Sequence, residues 1–189
     1  LLDDGRVLVV GGLFGAGADA ETYDPVTQVF TALAGSPSVQ RAAVKLGDGR
    51  VLLAGSTSTT ATIFDPVANA FSNLGPMSSP HGNFPTVTLL ADGRVLIAGG
   101  QGNLFETAAT DFFDPATDLF SAGPDMNRNR GAHAALRLPN GDVLMIGGSD
   151  NGTVHDGAEF WDADQNVFVD LPSTLPGPRM ALVAVPLEN

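Results

Sequence analysis

The sequence predicts an all-β protein built from four copies of one unit, and three observations support this prediction. A turn motif, Leu-x-Asp/Asn-Gly, recurs with its glycine at positions 5, 49, 93 and 141, which gives spacings of 44, 44 and 48 residues. Downstream of each turn an aromatic residue precedes Asp, and a second aromatic residue follows that aspartate by six positions. No apolar pattern with a period of 3.6 residues continues over ten residues, so essentially no helix is expected.

Each unit is expected to contain four short antiparallel strands, the first two joined by the glycine turn. Asp-Gly or Asn-Gly between apolar runs is the strongest local signal for a tight hairpin, because both turn residues take positive φ. In two of the copies this places first strands over 41–46 and 132–138 and second strands over 50–54 and 142–146. The second strand is a nearly continuous apolar run that ends at glycine, so it is expected to be central and covered on both faces.

The third strand is expected to end at the aromatic-Asp motif, and the fourth to carry the second aromatic residue. The motif begins at Tyr23, Phe64, Phe113 and Trp161, with Pro after the aspartate in the first three copies. Asp followed by Pro suits a type I turn in which the carboxylate accepts hydrogen bonds from turn amides.

This order of motifs resembles the kelch repeat, in its bacterial form and in the central domains of galactose oxidases. The resemblance covers the whole chain and implies one domain, a kelch-type β-propeller of four four-stranded blades around a central channel. The expected repeats cover residues 1–37, 38–80, 81–127 and 128–176, followed by a closing strand over 177–189.

The beginning and the end of the sequence fall at neighbouring positions of the repeat. The chain begins at the first glycine turn with no first strand before it, and residues 179–189 match the pattern of a first strand. Two arrangements follow: a ring closed by pairing of this strand with the first blade, or a segment of a larger propeller, since kelch rings usually have more than four blades. The first residue is Leu1, so we expect a processed product, an excised domain or a fragment, and an open ring would favour self-association through its edges.

The composition argues against several function classes. The 189 residues include 21 acidic and 9 basic side chains, for a net charge of −12, so neither nucleic acid nor an anionic membrane surface is an expected partner. No apolar stretch approaches the ~20 residues of a membrane span, so membrane insertion is not expected. The absence of cysteine removes disulfides, zinc-thiolate sites and thiol nucleophiles. Abundant Asp and a single Lys are compatible with an extracellular or cell-surface protein.

The irregular loops, which follow the glycine pairs and connect the blades, are expected to share the face opposite the uniform Asp-Gly turns. Ligand residues of repeat proteins typically lie on such variable loops, so we predict a ligand site there, near the mouth of the channel. The candidate binding residues are Arg41, His81, Asn127, Arg128, Arg130, His133, His155 and Arg179.

Each candidate has a structural alternative. Arg41, Arg130 and Arg179 would either capture a carboxylate or sugar acid in a bidentate manner or pair with the many aspartates. His133 is expected in the blade interior, and His155 lies in a loop rich in Gly and Asp, where a solvated role competes with a catalytic one. The histidine spacing is irregular, so neither a metal site nor a cofactor is expected.

Three other patterns are not assigned a ligand. Arg6, Arg50 and Arg94 follow the turn glycines and are expected to be structural. The run Ser149–Thr153 resembles a calcium loop but lacks the spacing of an EF-hand. The copper-radical chemistry of galactose oxidases needs Tyr cross-linked to Cys; the chain has no Cys, and its single tyrosine, Tyr23, occupies the aromatic turn position.

The sequence thus combines a strong structural pattern with no catalytic constellation. This favours a non-catalytic module that binds protein or carbohydrate through the irregular loop face. Two alternatives remain: a carbohydrate-active enzyme resembling the kelch sialic-acid epimerases, and a structural fragment of a larger kelch protein.

Overall fold

The computed structural model describes residues 1–11, 20–35, 42–55, 59–102 and 105–187. Within these ranges the regular structure is entirely β, and the expectation of no helix is confirmed. A search of the same ranges finds no helix with the length and apolarity to cross a membrane.

Fifteen of the strands form four antiparallel sheets, which we call blades 1 to 4 in chain order. Within each blade the strands pair in sequence order, as a meander. The sheets consist of β1 (Val7–Val10), β2 (Ala20–Asp24) and β3 (Val29–Ala32) in blade 1; β4 (Ala42–Lys45), β5 (Val51–Ala54), β6 (Thr60–Asp65) and β7 (Ala70–Pro76) in blade 2; β8 (Thr86–Leu89), β9 (Val95–Ala98), β10 (Thr110–Asp114) and β11 (Leu119–Ala122) in blade 3; and β12 (Ala134–Arg137), β13 (Val143–Ile146), β16 (Ala158–Asp162) and β17 (Val167–Asp170) in blade 4.

A two-stranded hairpin of β14 (Ser149–Asp150) and β15 (Thr153–Val154) projects from blade 4 between β13 and β16. Its turn is Asn151-Gly152, with φ of 46° and 81°. The amide of Asn151 donates to Glu106 Oε2 at 2.9 Å. The calcium-like run of the sequence is therefore an Asn-Gly hairpin that is held by a carboxylate of blade 3.

The predicted second strands of blades 2, 3 and 4 are central, and those of blades 2 and 3 are completely buried. For blade 1 the prediction is wrong within the described residues: β1 pairs only with β2 and none of its four residues is buried, because a neighbouring blade covers only one of its faces. All four residues of β5 and all four of β9 are buried, and each of these strands pairs on both sides. The observed bounds, Val51–Ala54 and Val143–Ile146, begin one residue later than predicted, because Arg50 and Asp142 still belong to the turns. The turn carboxylates act as expected; for example, Asp65 Oδ1 accepts the amide of Val67 at 2.8 Å.

Hydrophobic clusters join each blade to the next in the described part of the chain. Leu53 and Phe64 of blade 2 pack with blade 1, while Leu52 and Ile63 on the opposite face pack with blade 3. A third cluster joins blades 3 and 4 around Trp161. The inner strand β8 lies against both β4 and β12, so the blades are stacked with their first strands side by side. The architecture is thus an all-β, propeller-like stack of blades.

Two of the arginines that follow the turn glycines, Arg6 and Arg50, form hydrogen bonds to the next blade. This supports their expected structural role. Arg50 donates to its own turn through Asp48 at 2.7 Å and reaches blade 3 through Asp118 at 2.9 Å. Arg6 makes the corresponding contact from blade 1 to the carbonyl of Pro66 in blade 2 at 3.0 Å. Arg94 instead lies over the ring of Phe112, 4.7 Å from its centroid.

The structure departs from the sequence expectation at both ends. Among the described residues blade 1 has three strands, β1, β2 and β3, where each of the other blades has four. Residues 171–187 contain no strand, and β1 pairs only with β2 among the described residues. The segment around Met180–Val185 therefore does not pair with Val7–Val10, and closure of the ring is not observed.

Burial in the central strands predicts a large difference between two leucines of blade 3. Leu96→Ala should lower the free energy of unfolding by about 2–5 kcal/mol, because Leu96 is fully buried and its removal leaves a cavity. Leu119→Ala is the matched control, since Leu119 is 63% exposed, and should change it by less than about 1 kcal/mol. Urea denaturation of both variants measures this; equal losses would contradict the described stacking.

Candidate functional site

The candidate site lies where the loops between blades enter the inner strands. Two buried acid-base pairs and one small pocket occupy this region, and most of the predicted ligand residues belong to them.

In blade 3 the first pair joins His81 to Asp111. Both side chains are fully buried, and His81 Nε2 lies 2.9 Å from Asp111 Oδ2. The other ring nitrogen, Nδ1, lies 2.8 Å from the carbonyl oxygen of Gly99. Both ring nitrogens of His81 thus face oxygen atoms that accept hydrogen bonds, one of a carbonyl and one of a carboxylate. The amide and hydroxyl of Ser78 also donate to Asp111 Oδ1, at 2.9 and 2.7 Å.

These contacts keep Asp111 ionised. Burial alone would raise the pKa of its carboxyl group, but the hydrogen bonds from His81 and Ser78 outweigh burial and lower the pKa below its ordinary value. The carboxylate thus anchors the loop that leads into β8.

Blade 4 repeats this arrangement with different residues. Arg130 Nε donates to Glu159 Oε1 at 2.8 Å, and both side chains are fully buried. The same guanidinium donates from Nη1 to the carbonyl of Gly147 at 2.6 Å. The amide of Asn127 donates to Glu159 Oε2 at 2.6 Å.

The two pairs occupy equivalent places in the repeat. Asp111 and Glu159 each lie three residues before the turn aspartate of their blade, and each pair uses the first glycine after the second strand as a carbonyl acceptor. Those glycines, Gly99 and Gly147, have φ of 60° and 62°. A Cβ on Gly99 would lie 2.3 Å from the carbonyl oxygen of Arg130, so the close approach of the loop requires glycine. We call these two arrangements the loop clasps.

His133 lies beside the blade 4 clasp. Its Nε2 is 3.0 Å from the hydroxyl of Thr86, and the side chain is 5% exposed. Burial, with the charge of Arg130 as a smaller cause, lowers the pKa of His133 to about 3. The imidazole is therefore neutral at neutral pH. Its Nδ1 is buried with no protein partner, as is Nη2 of Arg130.

A pocket of about 250 Å³ opens next to this histidine. It is lined by Phe84, Pro85, Ala132, His133, Met180 and Ala181. The side chains of Phe84 and Met180 are 50% and 48% exposed, so an aromatic ring and a thioether are presented to a ligand. The pocket therefore offers a mainly apolar surface with one neutral imidazole at its wall.

The backbone around the pocket is unusual. Phe84, Ala132 and Ala181 have φ of 61°, 52° and 53°, a region that residues with a Cβ rarely adopt. The amide of Ala132 donates to the carbonyl of Phe84, and that of Ala181 to the carbonyl of Ala132. Successive loops thus hold one another in this conformation, and each presents a side chain to the pocket.

The predicted ligand residues lie in different parts of the candidate site. His81 and Arg130 are buried in the clasps, and Asn127 contacts Glu159. His133 lines the pocket, while Arg179 is exposed next to Met180 of the pocket wall.

Of the remaining three candidates, the two that are described do not line the pocket. Arg128 is exposed, with Nε 3.9 Å from Asp170 Oδ1. The backbone amide of His155 donates to the carbonyl oxygen of Gly148 at 2.8 Å, and Nε2 of its side chain is buried. Arg41 lies outside the described residues. The assignment of the eight residues to a ligand stays a prediction.

Phe84, Pro85 and Met180 were not identified from the sequence. They are apolar and lie just before or within predicted inner strands, where a pattern analysis assigns such residues to the core. Their exposure depends on the turn of the backbone at positive φ, for which Phe and Ala give no sequence signal.

A second concavity, of about 320 Å³, lies on the opposite face among the Asp-Gly turns. Its carboxylates already have partners: Asp48 bonds Arg50, Asp92 bonds Arg94, and Asp114 accepts the amide of Ala116. This face therefore has structural rather than ligand-binding carboxylates.

Comparison with known proteins points to one group of relatives. The chain is 26% identical over 124 residues to a galactose oxidase of Gibberella zeae, a match that covers 65% of this chain and 18% of the relative. A copper-bound fungal alcohol oxidase of the AA5 family superposes with a TM-score of 0.74 at 22% identity, over 92% of this chain and 42% of that one. No family model matches. The chain therefore spans less than half of each relative, and the similarity indicates a β-sheet domain like those of galactose oxidase.

The residues of this chain do not fit the copper of that relative. No cysteine is present, and the single tyrosine, Tyr23, packs its ring against Phe30 at 4.7 Å. Across the described ranges no three His, Cys, Asp or Glu side chains converge as metal ligands.

The blade 4 clasp makes a first prediction for this region. Glu159→Gln should lower the free energy of unfolding by about 3–5 kcal/mol, because it leaves the buried guanidinium of Arg130 without a counter-charge. Asp92→Asn removes the same charge from the exposed pair of Asp92 with Arg94. It should lower the free energy of unfolding by less than about 1 kcal/mol. Chemical denaturation compares the two; equal effects would contradict a buried clasp.

His133 makes a pH-dependent prediction. Its folded-state pKa of about 3 lies below the ordinary value of 6.5, so the unfolded chain binds the proton more readily between these values. Stability should therefore fall on acidification from pH 6.5 towards 3, with a contribution of up to about 1.4 kcal/mol per pH unit. In the His133→Gln variant the free energy of unfolding should fall less steeply with decreasing pH between pH 6 and 4. Urea unfolding at each pH measures this dependence. An unchanged slope would show that His133 is not buried in its neutral form.

Proposed function

We propose that this chain is a kelch-type β-propeller segment that binds a carbohydrate at the channel-mouth pocket without chemical turnover. The observation that carries the proposal is the pocket itself, in which Phe84 and Met180 are half exposed beside the neutral imidazole of His133. Its volume of about 250 Å³ is slightly below the range of drug-sized ligand sites. It therefore suits one sugar ring or one amino-acid side chain.

The chemistry of the pocket favours a sugar. The apolar C–H face of a pyranose can pack on the exposed ring of Phe84, as sugars do on aromatic side chains. The named activity of the relatives from Gibberella zeae, galactose oxidase, also concerns a sugar. Recognition of a protein side chain by the same pocket is the second form of this binding function.

The burial of the acid-base groups favours binding without turnover. A general acid or base must lie within hydrogen-bond reach of the substrate. In the described region the two strongest candidates, the His81–Asp111 and Arg130–Glu159 pairs, are fully buried and hold loops rather than face the pocket.

The enzymatic alternative depends on Arg179. Arg179 is exposed and directly precedes Met180 of the pocket wall, and an arginine there could bind the carboxylate of an acidic sugar, as in enzymes that resemble the kelch epimerases. The third alternative, a structural segment of a larger protein, is supported by the partial coverage of both relatives.

Binding to immobilised and soluble saccharides tests the proposal. Phe84→Ala should weaken binding of the best saccharide by about tenfold or more, because stacking on the ring is lost while the backbone contacts of residue 84 remain. Phe105→Ala is the matched control, since Phe105 is similarly exposed, at 57%, in another loop, and should leave affinity unchanged.

Two results would overturn this function. Failure of a broad saccharide set to bind, or equal effects of the two phenylalanine variants, would exclude the pocket as a sugar site. Turnover of a bound sugar that is lost in a folded Arg179→Ala variant would establish the enzymatic alternative instead.

A further inference from the structure

We propose that Asn151 is a site of spontaneous deamidation, at which the side-chain amide reacts with the backbone nitrogen of Gly152 and hydrolysis then leaves aspartate or isoaspartate. The reaction takes place in the turn between β14 and β15, and its only co-reactant is water. The inference does not rest on the sugar-binding proposal.

Two Asn-Gly pairs occur in the sequence, Asn140-Gly141 and Asn151-Gly152. The first lies in the turn between β12 and β13, and the second lies in the turn between β14 and β15. Because glycine has no Cβ, the backbone nitrogen that follows each asparagine is poorly shielded and can approach the asparagine side chain. The two pairs therefore share the same local chemistry, and the surrounding structure decides which of them can react.

Hydrogen bonds hold the first pair in an unreactive arrangement. The backbone amide of Gly141 donates to the carbonyl oxygen of Leu138 at 3.0 Å. The side chain of Asn140 donates from Nδ2 to Asp142 Oδ2 at 2.7 Å, and its Oδ1 accepts the backbone amide of Asp142 at 3.3 Å. The nucleophile and the group that it would attack are both engaged elsewhere, so the reaction requires these three hydrogen bonds to break.

The second pair has no such restraint. Over the described ranges, neither the side chain of Asn151 nor the backbone amide of Gly152 forms a hydrogen bond. Both residues are exposed, and a Cβ placed on Gly152 would meet no heavy atom within 4 Å apart from its chain neighbours. The backbone amide of Asn151 donates to Glu106 Oε2 at 2.9 Å, which fixes the turn without covering the reacting groups.

The reaction balances with water alone. The nitrogen of Gly152 loses its proton to solvent and attacks Cγ of Asn151, so that the N–Cγ bond forms and the Cγ–Nδ2 bond breaks. Nδ2 takes up a proton from solvent and leaves as ammonia, and the product is a cyclic succinimide. Water then adds to one of the two carbonyl carbons of this ring and breaks the bond from that carbon to the nitrogen. Opening at one carbonyl gives aspartate, and opening at the other gives isoaspartate, whose main chain continues through the former side chain.

Deamidation at this turn should release the hairpin from blade 3. Glu106 holds the hairpin through the amide of Asn151 and the hydroxyl of Ser149, at 2.9 and 3.3 Å. Isoaspartate lengthens the main chain of a two-residue turn, whose strands pair with Asp150 opposite Thr153. Both products also place a new negative charge close to the carboxylate of Glu106, which repels it. Both effects weaken the contact with Glu106.

Peptide mass spectrometry of the 189-residue chain, incubated at mildly alkaline pH, tests the proposal. Asn151 should deamidate about tenfold faster than Asn140, or more, because only Asn140 and its glycine are held by hydrogen bonds. In guanidinium chloride the two rates should become similar, because unfolding removes that protection. In the Asn151→Gln variant the products at position 151 should disappear, and the rate at Asn140 should be unchanged.

Equal rates at the two sites of the folded chain, or a faster reaction at Asn140, would overturn the proposal. No reaction at Asn151 over a period in which the unfolded chain reacts would do the same. A ratio of rates that persists in guanidinium chloride would also count against it, since the difference would then come from the neighbouring sequence rather than from the structure.

Hydrogen exchange of the incubated chain measures the release of the hairpin. Peptides that cover residues 149–154 should exchange about tenfold faster in the isoaspartate form than in the unreacted chain, because the contact with Glu106 is lost. The Asn151→Gln variant, incubated in the same way, is the control and should keep its original exchange rate. Unchanged exchange in the isoaspartate form would overturn the release of the hairpin.

Discussion

The structure depends on the fact that no blade can bury both of its apolar faces alone. β5 and β9 are apolar on both sides, so each sheet needs a neighbour on each face, and a single four-stranded sheet exposes too much apolar surface to be stable. Stacking satisfies this requirement for blades 2 and 3, whose central strands are completely buried. Blades 1 and 4 each have a described neighbour on one face only, and Val9 and Phe30 on the other face of blade 1 are exposed.

Within that stack the loop clasps determine where the irregular loops lie. A buried charge is costly unless an opposite charge and additional hydrogen bonds compensate it. Asp111 and Glu159 meet this condition only when the incoming loop delivers His81 or Arg130, together with the amide of Ser78 or Asn127. The clasps thus couple the path of each loop to the interior of the next blade, and they remove their charged groups from the surface that a ligand can reach.

The part of the candidate site that a ligand can reach is the pocket, and its shape depends on the backbone conformation of the loops. Phe84, Ala132 and Ala181 adopt positive φ at equivalent points of successive loops, and hydrogen bonds between those loops hold them there. This geometry turns Phe84 and Met180 outward beside a neutral histidine. The candidate site is therefore apolar although the chain as a whole is strongly acidic, because many of the carboxylates, such as Asp48 and Asp92, are engaged in turns on the opposite face.

The sequence by itself determined the repeat, the positions of the Asp-Gly hairpins, the buried second strands of blades 2 and 3 and the absence of helix, because these depend on local turn chemistry and on short apolar runs. It was wrong about the conformation of those turns: only the glycine of each pair, such as Gly49, takes positive φ, because the turn amide of Gly49 bonds back to Leu46 in a longer loop. It also identified the arginines and histidines at the loop ends. Only the tertiary structure decided which of these side chains are buried: Arg130 finds Glu159 29 residues further along the chain, a distance that no local pattern reports. The pocket and the path of residues 175–187 likewise depend on contacts between blades, so they become visible only when the blades are stacked.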